Sequence, residues 1–119
     1  MIRILTISSA VLLAFAGPAI AASAPSGDAA KGKQLFATIG CSYCHGTAGQ
    51  GGGGRTGGLR IAKMGIGFPA FLNQLRHPAN EMPPYVESAL PEKDVADIFA
   101  FVESLPPPPD AKTIPLLNN

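Results

Sequence analysis

Metal-binding and redox side chains are scarce in this 119-residue chain, which contains two cysteines and two histidines. Both cysteines lie in one short stretch, GCSYCHG, as Cys41 and Cys44 with His45 directly behind them. A structural zinc site needs four ligands, and the chain offers only these three and His77. Because the side chains of the adjacent Cys44 and His45 point apart, they are poorly placed to share one small ion. The scarcity therefore argues against zinc.

Charge of either sign is also limited. Charged residues make up 14% of the chain, with nine Lys and Arg against eight Asp and Glu, and the formal net charge is +1. The sequence has no basic stripe of the kind that binds nucleic acid and no polybasic patch for lipid head groups. Partners selected by strong charge, nucleic acid among them, are therefore not indicated.

Long uncharged apolar runs are missing from the chain except at its N-terminus. There Arg3 precedes an apolar run at residues 4–16, and the small-residue stretch AIAASA follows at residues 19–24. A positive start, a short apolar core and an A-x-A site describe a secretory signal peptide. We expect residues 1–21 to be a cleaved export signal and residues 22–27 a flexible leader. An uncleaved membrane anchor is the alternative, because the run approaches the ~20 residues that span a bilayer.

The rest of the sequence predicts three helices and no strand. The first is expected over residues 28–39, with Asp28 as its N-cap. The second fits residues 68–76, where Phe and Leu recur at helical spacing and Pro78 forces an end. The third is expected from residue 91 or 92 to residue 104, with acidic side chains in its first turn that suit the helix dipole.

Long loops separate these helices. Residues 46–58 are saturated with glycine, and the two prolines of NEMPPY, residues 80–85, hold that stretch extended or turned. Residues 106–119 form a tail that starts with four prolines, which favour a stiff polyproline-like segment. Three helices with this much loop are too little for a self-sufficient bundle. The pattern therefore predicts that residues 28–105 form one domain wrapped around something large.

The cysteine pair has two further interpretations. A C-x-x-C pair can act as a thiol–disulfide catalyst, but that interpretation expects a βαβ setting, whereas here the motif follows a predicted helix and precedes the glycine-rich loop. C-x-x-C-H is instead an attachment signature for haem c. The two thiols add to the haem vinyl groups and the histidine becomes an iron ligand. We therefore predict one haem c, bound covalently through Cys41 and Cys44 and ligated by His45.

The second axial position of such an iron has three candidate ligands: Met64, His77 and Met82. Met82 is favoured because Pro83 and Pro84 stiffen the segment that carries its thioether. An open position, without any of these ligands, stays as the alternative at this point.

The order and spacing of these motifs resemble those of class I c-type cytochromes, the small soluble monohaem cytochromes of bacteria. Residues 27–36, GDAAKGKQLF, are similar to the first helix of that family, and CSYCHG to its attachment site. Residues 71–85 resemble the distal segment whose methionine is the sixth ligand, and residues 92–105 resemble the C-terminal helix. The resemblance implies an all-α cytochrome c fold, in which three to four short helices and long loops wrap around one covalent haem.

Within that resemblance, Gly32 and Phe36 match the glycine and the aromatic residue of the first helix that contact the last helix. Phe101 matches the aromatic residue that crosses there from the last helix. The resemblance thus predicts that the first and last helices cross at Gly32.

One stretch departs from the family pattern. A Gly-Pro-x-Leu turn commonly follows the attachment site, and its proline carbonyl accepts a hydrogen bond from the proximal histidine. The corresponding residues here, RTGGLR at 55–60, contain no proline. We expect Leu59 to keep the haem contact and a carbonyl of Gly57 or Gly58 to accept from the His45 ring.

An iron with His45 and Met82 as ligands is closed on both sides, which together with the export signal predicts a periplasmic one-electron carrier, not an enzyme. Arg76 and Tyr85 are candidates to bind the haem propionates. The resemblance implies a dehydrogenase as the donor of this carrier and a terminal oxidase or reductase as its acceptor, and no stable membrane insertion is expected after signal cleavage. One alternative is a haem c subunit docked permanently in a dehydrogenase complex through residues 114–117 of the tail. The other is a haem enzyme or gas sensor with an open sixth position.

Overall fold

The computed structural model describes residues 25–52 and 57–117, so the predicted signal peptide and the start of the leader lie outside the described residues. Four α-helices follow in order: α1 (Ala29–Thr38), α2 (Cys41–His45), α3 (Phe68–Arg76) and α4 (Glu92–Ser104). The tail adds two single turns of 3₁₀ helix at Ala111–Thr113 and Pro115–Leu117. No residue in the described ranges forms a strand, which confirms the all-α fold. None of the helices described is long and apolar enough to cross a membrane.

Helix α1 begins where the sequence predicted. The Asp28 carboxylate accepts hydrogen bonds from the backbone N–H groups of Ala30 at 2.8 Å and Lys31 at 3.1 Å. These bonds satisfy two of the amide donors that a helix N-terminus leaves without partners. The helix buries a stripe of two residues, Gly32 and Phe36, along one side.

The stripe of α1 packs against α4. The phenyl rings of Phe36 and Phe101 meet edge to face, with centroids 5.4 Å apart and planes at 61°, a geometry that aromatic pairs prefer. The backbone of Gly32 lies directly on the Asp97 carbonyl, and that of Gly27 on the Ala96 carbonyl, leaving no room for a side chain. The predicted crossing of the first and last helices at Gly32 is confirmed.

A buried carboxylate joins the same two helices. Asp97 of α4 is fully buried, and its Oδ1 accepts the Asp28 backbone N–H at 2.7 Å. Its Oδ2 lies 3.0 Å from the Lys31 ammonium and 3.5 Å from that of Lys93. A buried charge is tolerated only when it is paired and hydrogen-bonded, and here a helix N-terminus and two lysines provide the pairing.

Helix α3 packs against the other side of α4. Phe68, Phe71 and Leu75 are buried, and the Phe99 ring of α4 contacts the first two, with centroids 5.6 Å and 5.3 Å apart. Each such side chain contributes ~1.5–3 kcal/mol by leaving water. Helix α4 is therefore the central element, with α1 on one side and α3 on the other.

Two local features were not predicted from the sequence. The attachment motif forms a five-residue helix, and the tail contains 3₁₀ turns after its prolines. Helix α2 can start immediately after α1 because Gly40 adopts a left-handed conformation, with φ of 94°. That conformation is readily accessible to glycine and reverses the chain between the two helices.

Candidate metal and cofactor site

The two cysteines share one face of α2. They are three residues apart, so their side chains project from neighbouring positions on the helix surface. Both are thiols, with Cys41 buried and Cys44 partly buried. Burial raises the pKa of the Cys41 thiol to about 11, so this group is protonated at neutral pH. The helix thus presents two thiols one turn apart.

The His45 ring is oriented by a backbone carbonyl. Its Nδ1 lies 2.7 Å from the carbonyl oxygen of Leu59. Since a carbonyl only accepts hydrogen bonds, Nδ1 carries the hydrogen and Nε2 keeps a lone pair for a metal. Such a hydrogen bond fixes the tautomer and raises the basicity of a ligating histidine. The expectation that Gly57 or Gly58 provides this carbonyl is wrong: the acceptor is Leu59, one or two residues further along.

Gly58 brings the Leu59 carbonyl within reach. A Cβ atom at position 58 would lie 2.6 Å from the carbonyl oxygen of Cys44, closer than any side chain can approach. The loop is also tied down by hydrogen bonds from Gly51 N to His45 O at 2.8 Å and from Gly52 N to Gly58 O at 2.9 Å. The role of Gly58 was not predicted from the sequence, because Gly58 corresponds to the variable position of the family's Gly-Pro-x-Leu turn.

The Leu59 side chain itself is 79% exposed. Its backbone is placed at the site by the bond to His45, while the expected contact of its side chain with the haem stays a prediction.

Of the three candidates for a second axial ligand, Met82 is the one that packs against the core. The Gln74 Nε2 amide of α3 lies 3.8 Å from the Met82 sulfur, within the range of a hydrogen bond to sulfur. Met64 is 37% exposed, and His77 is exposed at the C-cap of α3. The Gln74–Met82 contact could not be predicted from the sequence, because it depends on how the intervening loop returns to α3.

Arg76 lies beneath the segment that carries Met82. Its Nη1 donates to the Tyr85 carbonyl at 2.6 Å and its Nη2 to the Leu90 carbonyl at 2.8 Å. Glu87 Oε2 is 3.5 Å from Nη2. The guanidinium therefore binds main-chain carbonyls that follow Met82 in sequence. Propionate binding by Arg76 stays a prediction.

Tyr85 connects that segment with the attachment helix. Its hydroxyl lies 3.5 Å from the Ile39 carbonyl, just before α2, and within hydrogen-bond reach of the Cys41 thiol. The pKa of Tyr85 is raised, chiefly by burial and then by the neighbouring Cys41. The contact brings the distal segment and the CxxCH motif together, while propionate binding by Tyr85 stays a prediction.

This set of donors fits haem c. Two thiols one helical turn apart match the two vinyl groups of haem. The hydrogen bond of His45 Nδ1 orients the ring and leaves Nε2 available for iron. Met82 offers a soft thioether as a second ligand. Zinc fits less well, because it is bound by Cys, His, Asp and Glu side chains rather than by a thioether, and no group of three or more of these side chains in the described residues could hold a metal ion. Cys41, Cys44 and His45 would hold the group, whose chemistry is a one-electron change at iron.

Comparison with known proteins supports the same cofactor. The family model described as cytochrome C oxidase, cbb3-type, subunit III matches residues 27–102, from the start of α1 to the last turns of α4. No curated protein matches the chain.

Proposed function

Because the chain belongs to this family of cytochrome c domains, which carry covalent haem c and transfer electrons, we propose that it is a periplasmic one-electron carrier with His45 and Met82 as axial ligands. The periplasmic location rests on the signal-like residues 1–21. The proposed donor is a dehydrogenase and the proposed acceptor a terminal oxidase or reductase.

The observation that carries the proposal is the environment of Met82. Its side chain packs against the core, its sulfur lies beside the Gln74 amide, and two prolines follow it directly. An iron with protein ligands on both sides has no open position for a substrate or a gas. A carrier needs such closure, whereas an enzyme or gas sensor needs an open position.

The protein sets the electronic properties of the site. When bound, haem supplies the one-electron couple, and a His/Met ligand pair raises its potential. The Leu59 carbonyl opposes this effect by increasing the basicity of His45. We expect apolar residues in and against the core, Phe71 and Leu72 among them, to limit water around a bound haem and so to disfavour the additional charge of the ferric state.

A second candidate function is a subunit held permanently in a larger complex. The matched family is described as an oxidase subunit, and the tail leaves Leu116 and Leu117 exposed at 85% and 64%. We propose docking of residues 114–117 on a partner as the form that this second function would take.

Carbon monoxide binding to the reduced protein tests the first proposal. We expect the wild type to give no spectral change with the gas at neutral pH, and Met82→Ala to bind it readily and to have a lower potential. Met64→Ala is the matched control and should behave as the wild type. Ready binding of carbon monoxide by the wild type would contradict the carrier assignment. Ready binding by Met64→Ala would show that Met64, not Met82, is the ligand.

The oligomeric state of the native protein tests the second. Gel filtration of the holoprotein from periplasm should give a monomer for a free carrier and a larger species for a bound subunit. Removing residues 106–119 would release the domain from such a species if the tail is the docking element. An unchanged complex after truncation contradicts docking by the tail.

A further inference from the structure

The guanidinium of Arg76 is held inside the protein by main-chain carbonyls that both follow Met82 in sequence. Its side chain is only 15% exposed. The two hydrogen bonds, to Tyr85 O at 2.6 Å and Leu90 O at 2.8 Å, use different nitrogens of the same planar group. Arginine is suited to such a two-pronged contact because its donors form a rigid fork. Charge-assisted bonds of this kind are also about twice as strong as neutral ones.

The chain between residues 76 and 85 is a closed loop. It leaves α3 at Arg76 and returns to the same place, where the Tyr85 N–H donates to the Leu75 carbonyl at 2.8 Å. Asn80 lies at the tip in a left-handed conformation, with φ of 59°. Arg76 and Leu75 therefore fasten the two ends of the loop together at its base.

Met82 depends on that base for its position. The neighbouring loop residues 79–81 and 83–84 are exposed, so they bring little packing that could hold the loop against the core. The Met82 side chain packs inward, and the Gln74 amide contacts its sulfur. Without the fasteners at its base, the loop would keep these contacts, the half-buried Pro78 and the contact of the Tyr85 hydroxyl with Ile39 O, none of which joins the two ends of the loop directly.

We propose that Arg76 is a positioning residue for the sixth iron ligand, acting by closing the base of the Met82 loop. The inference rests on the proposed ligation of the iron by Met82. Arg76 holds the thioether over the distal face and so excludes exogenous ligands from the iron. Lysine cannot replace it fully, because a single ammonium does not present two parallel donors to carbonyls on different residues.

Competition by imidazole for the ferric iron of the holoprotein measures this effect. Losing one hydrogen bond to a charged group lowers the equilibrium constant for the closed loop by roughly tenfold or more. We therefore expect Arg76→Gln to bind imidazole about tenfold more tightly than the wild type. Arg76→Lys should show a smaller increase in the same direction. Haem content and far-UV circular dichroism identify variants that have folded, and Arg76→Lys carries the test if Arg76→Gln does not fold.

Glu87→Gln is the matched control. Glu87 is 73% exposed and 3.5 Å from the guanidinium, and exposed ion pairs contribute little. Its imidazole affinity should stay within about twofold of the wild type. An Arg76→Gln affinity equal to that of the wild type would overturn the proposal.

The double variant Arg76→Gln/Met82→Ala separates positioning from a general structural effect. If Arg76 acts through Met82, its substitution has no further effect on imidazole affinity once the thioether is gone. A tenfold effect that persists in the Met82→Ala background would contradict the proposal. If Met82→Ala alone binds imidazole as the wild type does, ligation by Met82 fails and the role of Arg76 fails with it.

Discussion

The backbone of Gly32 on α1 lies against the Asp97 carbonyl of α4 so closely that a methyl group on Gly32 would overlap this oxygen. The contact is between two main chains, so neither side can move out of the way by changing a rotamer. The neighbouring Phe36–Phe101 ring pair depends on the same close approach of the helices.

Replacing Gly32 with alanine should therefore destabilise the protein although alanine favours helix. Inserting a methyl group into a well-packed contact costs about 1–3 kcal/mol, which exceeds the gain of ~1 kcal/mol in helix propensity over most of that range. We expect a net fall in melting temperature of several degrees, since ~1 kcal/mol shifts a domain of this size by ~4–8 °C. Thermal unfolding followed by circular dichroism measures it.

Gly67→Ala is the matched control for Gly32→Ala. A Cβ atom there would meet only Pro69 Cδ at 3.7 Å, and its φ of −70° suits any residue. Its melting temperature should stay close to that of the wild type. Equal losses in the two variants would mean that the helix crossing is not the tight contact described.

The Asp97 carboxylate should make the stability of the protein depend on acid pH. The Asp28 backbone N–H, followed by Lys31, lowers the pKa of Asp97. Because the folded pKa lies below the unfolded value of ~3.9, the stabilisation is present above that value and is lost as the pH falls through the folded pKa. Asp97→Asn should be less stable than the wild type near neutral pH and should lose less stability on acidification.

Denaturant unfolding at pH values from about 6 to about 2 tests this dependence, which develops below the ordinary aspartate pKa. Asp110→Asn, in the exposed tail, is the control and should follow the wild-type curve. Parallel loss of stability in Asp97→Asn and the wild type would show that Asp97 does not carry the effect.

Substituting Gly58 should change the redox potential through His45. A methyl group at position 58 would press on the Cys44 carbonyl and move the Leu59 carbonyl away from His45 Nδ1. A histidine without this bond donates less to the ferric iron, so the potential should rise. A hydrogen bond of 0.5–1.5 kcal/mol corresponds to roughly 20–60 mV for one electron. Electrochemical titration of Gly58→Ala measures the shift. Gly67→Ala is the control and should leave the potential unchanged. A fall in the potential of Gly58→Ala would contradict the role assigned to the His45–Leu59 hydrogen bond.

The Gln74 amide should tune the potential from the other side of the iron. Its hydrogen bond withdraws electron density from the Met82 sulfur, which weakens donation to ferric iron. Gln74→Ala should therefore lower the potential by roughly 20 mV, in line with a weak hydrogen bond of ~0.5 kcal/mol. Asn73→Ala, an exposed neighbour on α3, is the control. If Met82 is shown to be the ligand and Gln74→Ala leaves the potential unchanged, the Gln74–Met82 contact does not persist in the holoprotein.

Helices α1, α3 and α4 could be predicted from the sequence because each has its own local signals. Asp28 caps α1, Pro78 limits α3, and acidic side chains in the first turn of α4 suit the helix dipole. Helix α2 has five residues, too few to show a period, and its helical form depends on the left-handed Gly40.

The attachment residues of the site were predicted for a similar reason: Cys41, Cys44 and His45 form one contiguous motif. The contacts of His45 with Leu59 and of Met82 with Gln74 could not be predicted, because each joins residues that only the folded loops bring together. The Leu59 carbonyl reaches His45 because the chain passes close to Cys44 at Gly58. The spacing of residues in the sequence does not determine which of several neighbouring carbonyls comes within hydrogen-bond distance of His45.

Helix α4 is attached to both halves of the site. Near its carboxyl end, the Val102 carbonyl accepts the Lys63 N–H at 3.0 Å, and Arg60 donates to Pro106 O at 2.8 Å, which anchors the loop behind His45. At its amino end, the chain from the Met82 loop enters the helix just after Leu90, whose side chain is 1% exposed. The segments that carry the two proposed ligands are thus both joined to α4. If haem iron is bound between these ligands, this common support would favour similar iron–ligand distances in the ferrous and ferric states, and so a small reorganisation energy for electron transfer.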